Sequence, residues 1–286
     1  MHTGLKIAAV AAAAAATFGT AYGVGSGVAP VITERQQPAH ASHGEEERDG
    51  RAASTPGGLQ VSDRGYTLDL ERDRLPGPAG ELRFTIRDDR TGKPLTSYET
   101  EHGKQLHLIV ASLDLTAYRH LHPVRAADGT WSTPISLPEA GDYRVFADFT
   151  PRGAREGLTL GAGLGVAGTY APAPLPEHST TARVAGGYEV RVDGALTAGA
   201  ARELTLTATK NGRPVTDLDP YLGAYGHLVA LRAGDLAYLH VHPHEGRPGP
   251  EVSFTATAPS TGTYRLFLDF KHGGEVRTAA FTVHAA

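Results

Sequence analysis

The histidines of this chain are concentrated in two stretches whose spacing could build a metal site. Each stretch has a lone histidine in an apolar run and, 13 positions later, a His-x-His-Pro motif. The two sets are His107, His120 and His122, and then His227, His240 and His242. Neutral imidazole nitrogen is a preferred ligand of zinc(II), copper(II) and nickel(II). The repeated set therefore predicts a metal ion, copper(II) or zinc, bound in at least one stretch.

A β-hairpin would bring the three histidines of each stretch together. A two-residue turn centred on Asp114–Leu115 places His107 opposite His122, and a turn at Gly234–Asp235 does the same in the second stretch. Directly opposed residues have Cβ atoms about 4.5–5.5 Å apart, and strand residues two apart share a face. The three imidazoles then converge, whereas a turn longer by one residue would send the lone histidine to the other face.

Other residues near these stretches could extend or orient the sites. Asp148 and Asp269 lie in a Gly-x-Tyr-Arg-x-Phe-x-Asp-Phe or closely related strand near the end of each repeat, and each is a candidate ligand or partner of an imidazole. His244 extends the second row, and His272 is a possible fourth ligand there. His102 is expected to be an isolated loop residue.

A purely structural interpretation of the same residues stays open. A strand histidine also hydrogen-bonds a carbonyl or a strand aspartate, and a duplication copies structural residues as well as ligands. Tyr118 and Tyr238 share the histidine face and are expected to pack rather than to bind an ion.

Composition excludes several classes of function. The chain has 286 residues, a net charge of only −4, no cysteine and a single methionine at position 1. Nucleic-acid binding is not indicated, and disulfides, thiolate catalysis and Cys-ligated zinc are excluded. The absence of soft ligands disfavours copper(I), and no nucleophile lies in a recognisable catalytic setting. We therefore expect a protein that is not an enzyme.

The N-terminal region predicts export. Residues 1–32 contain one lysine and then the uncharged run Ile7–Val31, which is typical of a signal peptide but long enough for a single membrane anchor. Residues 33–58 are polar and charged and predict a disordered linker. The protein is expected to be secreted or attached to the outer face of the cytoplasmic membrane.

The remainder is an internal duplication. Gly65-Tyr66 corresponds to Gly187-Tyr188, and Gly141–Phe149 corresponds to Gly262–Phe270. Short runs with period-2 alternation, separated by turn residues every ~8–12 positions, predict an all-β fold of two tandem immunoglobulin-like sandwiches. The expected boundaries are residues 59–170 for the first domain, 171–182 for a Pro-rich linker and 183–286 for the second domain.

These motifs resemble the immunoglobulin-like domains of exported bacterial copper-handling proteins, the CopC-like and YtkA-like group. The lone histidines, the His-x-His-Pro motifs and the Gly-x-Tyr strand carry the resemblance, over residues 60–153 and 187–283. Tandem units of this kind are also similar to exported actinobacterial proteins of unknown activity. The resemblance implies an exported, copper-binding β-sandwich protein.

Three functions are compatible with these sequence features. The first is a metal-binding protein that buffers or delivers copper(II) or zinc at the cell surface. The second is a non-catalytic structural or interaction module, whose partner would be another cell-surface protein and whose histidines only stabilise the hairpins. The third, an enzyme with a metal-bound water, requires an open coordination position and a general acid or base that no motif indicates.

Overall fold

The computed structural model describes residues 55–239, 241–244 and 246–286, with the backbone alone of His242. Segment 1–32, predicted to be a signal peptide or anchor, lies outside these residues, as does most of the predicted linker. The last linker residues are part of the fold, because Gly58 donates to Thr159 and Gly57 accepts from Tyr238 through backbone hydrogen bonds. No helix in the described part of the chain is long and apolar enough to cross a membrane.

The first repeat forms a β-sandwich of two sheets. One sheet has the order β1-β2-β4-β9-β8 with β5 paired to β4, and the other has the order β3-β11-β10-β6-β7. The strands are β1 (Ser62–Asp63), β2 (Tyr66–Leu70), β3 (Arg74–Leu75), β4 (Ala79–Asp88), β5 (Lys93–Pro94), β6 (His107–Ser112), β7 (Tyr118–Leu121), β8 (Val124–Arg125), β9 (Trp131–Ser136), β10 (Gly141–Phe149) and β11 (Leu158–Val166).

The second repeat forms a sandwich of the same design. One sheet has the order β12-β13-β14-β19-β18 with β15 paired to β14, and the other has the order β17-β16-β20-β21. The strands are β12 (Thr181–Val184), β13 (Tyr188–Asp193), β14 (Ala201–Lys210), β15 (Arg213–Pro214), β16 (His227–Arg232), β17 (Tyr238–Leu239), β18 (Val241–Pro243), β19 (Glu251–Thr257), β20 (Gly262–His272) and β21 (Glu275–Ala285). The predicted all-β, immunoglobulin-like class is confirmed.

Period-2 alternation fills the core of each sandwich. In β4, Leu82, Phe84 and Ile86 point inward and are almost fully buried, because alternate side chains of a strand lie on opposite faces. Leu204 and Leu206 of β14 do the same in the second sandwich.

A third apolar cluster lies between the two sandwiches. Strands β6 and β16 are buried along almost their whole length, because one face lines a sandwich core and the other faces the opposite sandwich. Ile109 of β6 and Val229 of β16 belong to the shared cluster, together with Phe146 and Phe267 from β10 and β20. The odd-numbered residues of β6 and β16, including His107 and His227, therefore lie on the interface side. The two-domain prediction did not include this contact.

The hairpins have the predicted register but a different turn. Ile109 pairs with His120 and Ala230 pairs with Leu239, so positions summing to 229 and to 469 are opposed next to the turns, as predicted. The predicted opposition of His227 and His242 is wrong, because His242 pairs with Thr255 of β19 in the other sheet. The two-residue turn is wrong, because Ser112 donates to the carbonyl of Ala117 and closes a four-residue loop. The centre is unchanged, so the register is kept.

The longer turn has a physical reason in both hairpins. Leu115 and Leu236 occupy left-handed conformations, with φ of 59° and 60°. This places their side chains in the apolar cluster between the sandwiches, where they are 1% and 3% exposed.

Candidate metal centre

The first hairpin brings its three histidines into contact. His107 begins β6, His120 lies in β7 and His122 follows β7 directly. The ring centroids are 5.3 Å apart for His107 and His120, 5.2 Å for His107 and His122, and 4.7 Å for His120 and His122. One nitrogen from each ring lies within 4.8 Å of the others, a spacing that could hold one ion.

Hydrogen bonds at the far side of two rings fix their tautomers. The Nε2 of His107 lies 3.3 Å from the carbonyl oxygen of Glu101, and the Nδ1 of His120 lies 2.9 Å from Oδ2 of Asp269. Carbonyl and carboxylate oxygens only accept, so both of these nitrogens carry the proton. When both rings are neutral, the remaining nitrogens, His107 Nδ1 and His120 Nε2, present lone pairs to each other.

These two nitrogens are only 3.1 Å apart. Two lone pairs at that distance repel each other unless a proton or a cation lies between or beside them. Zinc–nitrogen bonds of about 2.0–2.1 Å in a tetrahedral site place ligand nitrogens about 3.3 Å apart. The observed distance between the two nitrogens is therefore close to the distance between two nitrogen ligands of one metal ion.

The third histidine supplies an unpaired buried nitrogen. The Nε2 atom of His122 is buried and has no hydrogen-bond partner among the described residues. An unsatisfied buried polar atom costs about 1–3 kcal/mol and calls for an explanation. A bound cation would satisfy it.

The protein environment favours the neutral form of His107, His122 and His227, which is the form that binds metals. Burial, followed by the neighbouring His120, lowers the pKa of His107 to about 3. Burial and the same neighbour lower the pKa of His122 to about 3. Burial lowers the pKa of His227 to about 4, although its hydrogen bond to Tyr221 opposes the shift. The lone-pair repulsion is thus not easily relieved by a proton on His107.

Asp269 reaches the site from the other sandwich. Its side chain is 4% exposed, and the His120 side chain is 5% exposed. Thr278 donates to Oδ1 of Asp269 at 2.5 Å, and Tyr118 donates to Oδ2 at 3.4 Å. The carboxylate therefore acts as a partner that fixes an imidazole, one of the two roles predicted for it. The imidazole belongs to the first sandwich, which the sequence did not indicate.

His227 also lies at this cluster. Its ring centroid is 6.0 Å from those of both His107 and His120, and 5.3 Å from that of His102. The Nε2 of His227 donates to the carbonyl oxygen of Tyr221 at 2.9 Å. His102 lies in a loop, as predicted, but it is not isolated. The sequence contained a signal for this interface. The apolar runs of β6 and β16 do not alternate with polar residues, which indicates strands that are covered on both faces.

The remaining predicted residues are placed elsewhere or lie outside the description. His240 and the side chain of His242 lie outside the described residues. Asp148 accepts from Thr159 at 2.9 Å and is hydrogen-bonded to the hydroxyl of Tyr238. Asp148 also pairs with His107 in the β6–β10 ladder.

Two further histidines do not join the cluster. His244 is exposed, and its Nε2 is 2.7 Å from Oγ1 of Thr255. His272 contacts the hydroxyl of Tyr188 at 2.6 Å and Asp217 at 3.1 Å. The structure thus does not bring His244 or His272 to the triad.

A cavity of about 950 Å³ borders the histidine cluster. Its lining includes His102, His107, His120 and His227. Glu101 and Arg64 also line it, so its wall carries both signs of charge.

Sequence comparison identifies a family. A family model described as "Domain of unknown function (DUF8832)" matches residues 60–159 and again residues 182–286. Together the two matches cover more than half of the chain. No curated protein matches the chain in sequence.

Several solved structures are similar at low scores. The adhesin InvE of Yersinia pseudotuberculosis has 13% identity and a TM-score of 0.24, with 78% of this chain and 60% of that chain covered. Domains 5–6 of the S-layer protein SbsC have 13% identity and a TM-score of 0.23, with 77% and 96% covered. MtrC from Shewanella baltica has 8% identity and a TM-score of 0.25, with 77% and 68% covered. TM-scores this low carry no argument about function.

Proposed function

This chain belongs to the DUF8832 family, and we propose that it is a non-catalytic, exported protein that binds zinc(II) or copper(II) through its histidine triad. The carrying observation is the pair of facing nitrogens in His107 and His120, which lie 3.1 Å apart, while the opposite nitrogen of each ring donates to a fixed oxygen. The unpaired Nε2 of His122 supports the same site. The uncharged N-terminal run and the resemblance to copper-handling domains support export and handling of the ion at the cell surface.

The donor set favours a divalent ion of intermediate softness. Three neutral imidazoles suit zinc(II) and copper(II), whereas copper(I) prefers sulfur ligands. The chain has no cysteine and its one methionine is at position 1. Buffering or delivery of the ion requires no further catalytic group, and the metal ion is the partner that this site defines.

Isothermal titration of the full chain with zinc(II) and with copper(II) tests this function. We expect saturable binding in the wild type and a loss of at least about 100-fold in affinity in His120→Ala/His122→Ala, because two of three ligands are removed. His244→Ala is the matched control, since His244 is exposed and outside the triad. No binding heat in the wild type, or equal binding in the double variant, would refute the proposal.

A second candidate is a surface interaction module in which the histidines only fasten the two sandwiches. The contact of His120 and Tyr118 with Asp269 favours it, because these bonds cross the interface without any ion. In that case a chelator leaves the thermal stability of the wild type unchanged, while His120→Ala/His122→Ala lowers it with or without chelator. The metal-binding function predicts the opposite, a wild-type melting temperature that rises with added ion.

A further inference from the structure

The position of His227 suggests a ligand that comes from the second sandwich. A tetrahedral site with metal–nitrogen bonds of about 2.0–2.1 Å places imidazole centroids about 5.2 Å apart. The triad already has centroid separations between 4.7 and 5.3 Å. His227 is 6.0 Å from two members of the triad. The ring of His227 must move closer to His107 and His120 to take the remaining position of such a site.

The hydrogen bond of His227 leaves one ring nitrogen able to bind an ion. Its Nε2 donates to the carbonyl oxygen of Tyr221, so Nδ1 carries the lone pair. His227 is only 7% exposed and begins β16, whose neighbouring residue on the same face, Val229, packs in the apolar cluster. The imidazole is thus held by a strand and not by a mobile loop.

Asp269 provides the second contribution from the same sandwich. It pairs with His227 in the β16–β20 ladder, yet its carboxylate accepts from Nδ1 of His120. A carboxylate behind a ligating histidine fixes the tautomer and raises the basicity of the other nitrogen. Asp269 is not in the group of side chains whose ligand atoms converge, so its role is to position His120.

We infer that the ion site is completed across the interface, with His227 as the fourth ligand and Asp269 as the positioning residue behind His120. The inference rests on the proposed metal-binding function and specifies it further. Ion binding then fastens the two sandwiches together, because one ion holds ligands from both. By thermodynamic linkage, docking of the sandwiches strengthens ion binding by the same factor.

The first test counts ligands in the full chain. Zinc K-edge absorption should show four imidazoles in the wild type and three in His227→Ala, with zinc affinity reduced by at least about 10-fold. His227→Gln is a second variant in case the first folds poorly, since its amide can still donate to Tyr221. His272→Ala is the matched control, because His272 is a partly buried, hydrogen-bonded histidine of the same sandwich. It should keep four imidazoles.

The second test addresses Asp269. Asp269→Asn keeps the shape of the side chain but removes its charge, and we expect zinc affinity to fall about 10–100-fold. The ¹⁵N resonances of the His120 ring should then lose the fixed Nδ1–H tautomer that the wild type has. A change in stability alone would leave the His120 tautomer as in the wild type and would overturn the positioning role.

The third readout is the interface. Zinc should slow amide hydrogen exchange in β6 and β16 of the wild type, and His227→Ala should abolish this added protection. Three imidazoles in the wild type, or two ions of which His227→Ala removes only one, would overturn the inference. Both results would leave the proposed function standing, whereas no zinc binding in the wild type would remove the proposed function itself.

Discussion

The two sandwiches present equivalent positions to their interface, and the aspartate of each is hydrogen-bonded to a tyrosine of the other. Asp148 of the first is hydrogen-bonded to Tyr238 of the second, and Asp269 of the second accepts from Tyr118 of the first. Each aspartate also accepts from the threonine opposite it on the adjacent strand. This crossed arrangement follows from the duplication, because equal positions face each other when two copies pack through the same sheet. The interface therefore depends on the presence of both copies, because each copy supplies the partner for the other.

The two copies differ in the loop that precedes the lone histidine. The loop before β6 has His102, with φ of 49°, where the loop before β16 has Leu222, with φ of 53°. The carbonyl behind the lone histidine comes from Glu101 in the first copy and from Tyr221 in the second. The two loops have similar backbone conformations but different side chains. The triad therefore has His102 as an additional histidine neighbour from the first sandwich.

The equivalent arginines have different tasks. Arg144 of the first sandwich donates to the carbonyls of Gly58 and Leu59, which lie before the first strand. Arg265 of the second donates to the carbonyl of Leu115 and to Thr282. The first arginine therefore anchors the entering chain, whereas the second anchors the opposite hairpin turn. Equivalent arginines thus bind the N-terminal segment in the first sandwich and the opposite sandwich in the second.

The largest predicted effect is the dependence of stability on pH, which compares the buried histidines of the two copies. In chelator, unfolded histidines bind protons near their ordinary pKa of about 6.5, whereas the pKa values of His107, His122 and His227 are lowered to about 3, 3 and 4. The unfolded state then binds more protons below pH 6.5, so stability falls as pH falls. We expect a loss of about 1 kcal/mol per histidine between pH 7 and 5.5.

Urea denaturation at several pH values measures this effect. His107→Gln/His122→Gln should flatten the pH dependence more than His227→Gln, because it removes two of the three titrating groups. The control is His244→Gln, which should change little since His244 is exposed. Equal slopes in all variants would show that the histidine cluster is not the source.

A second prediction concerns Gly161 and Ala280, which pair with Phe146 and Phe267 at equivalent register positions. A Cβ on Gly161 would lie 1.9 Å from the carbonyl oxygen of Gly58, so no side chain fits while the entering chain is held there. We expect Gly161→Ala to lower the free energy of unfolding by about 2–3 kcal/mol, because the clash must displace backbone.

The reciprocal variant Ala280→Gly is the control for this comparison. It creates no clash, and we expect a loss of about 1 kcal/mol or less from increased chain entropy and lost packing. Denaturant titration compares the two. Similar losses in both variants would mean that the entering chain is not held against β11.

The sequence predicted the fold class and the hairpin register because both depend on local patterns. Alternating apolar residues mark strands, and the centre of the turn between His107 and His122 fixes which residues face each other. A two-residue and a four-residue loop with the same centre give the same pairing, so the register prediction was insensitive to the error in turn length.

The sequence could not indicate how the two copies dock. That Asp269 would serve His120 depends on contacts between residues 149 positions apart, and no local pattern encodes such a pairing. The continuous burial of β6 and β16 was the available signal, since a half-exposed strand alternates and a strand covered on both faces does not. It indicates that a second surface covers the strand but does not identify that surface.

The smallest predicted effect tests the crossed arrangement directly. Burial and the nearby aspartate raise the pKa values of Tyr118 and Tyr238 well above the ordinary range, so both hydroxyls remain donors. Tyr118→Phe and Tyr238→Phe each remove one hydrogen bond to a carboxylate of the other sandwich. We expect each to cost about 1 kcal/mol in denaturant titration, because the bond to a charged group is lost while the ring packing is kept. A large loss in one variant and none in the other would show that one copy carries the docking, and that the symmetry of the contacts does not extend to their energies.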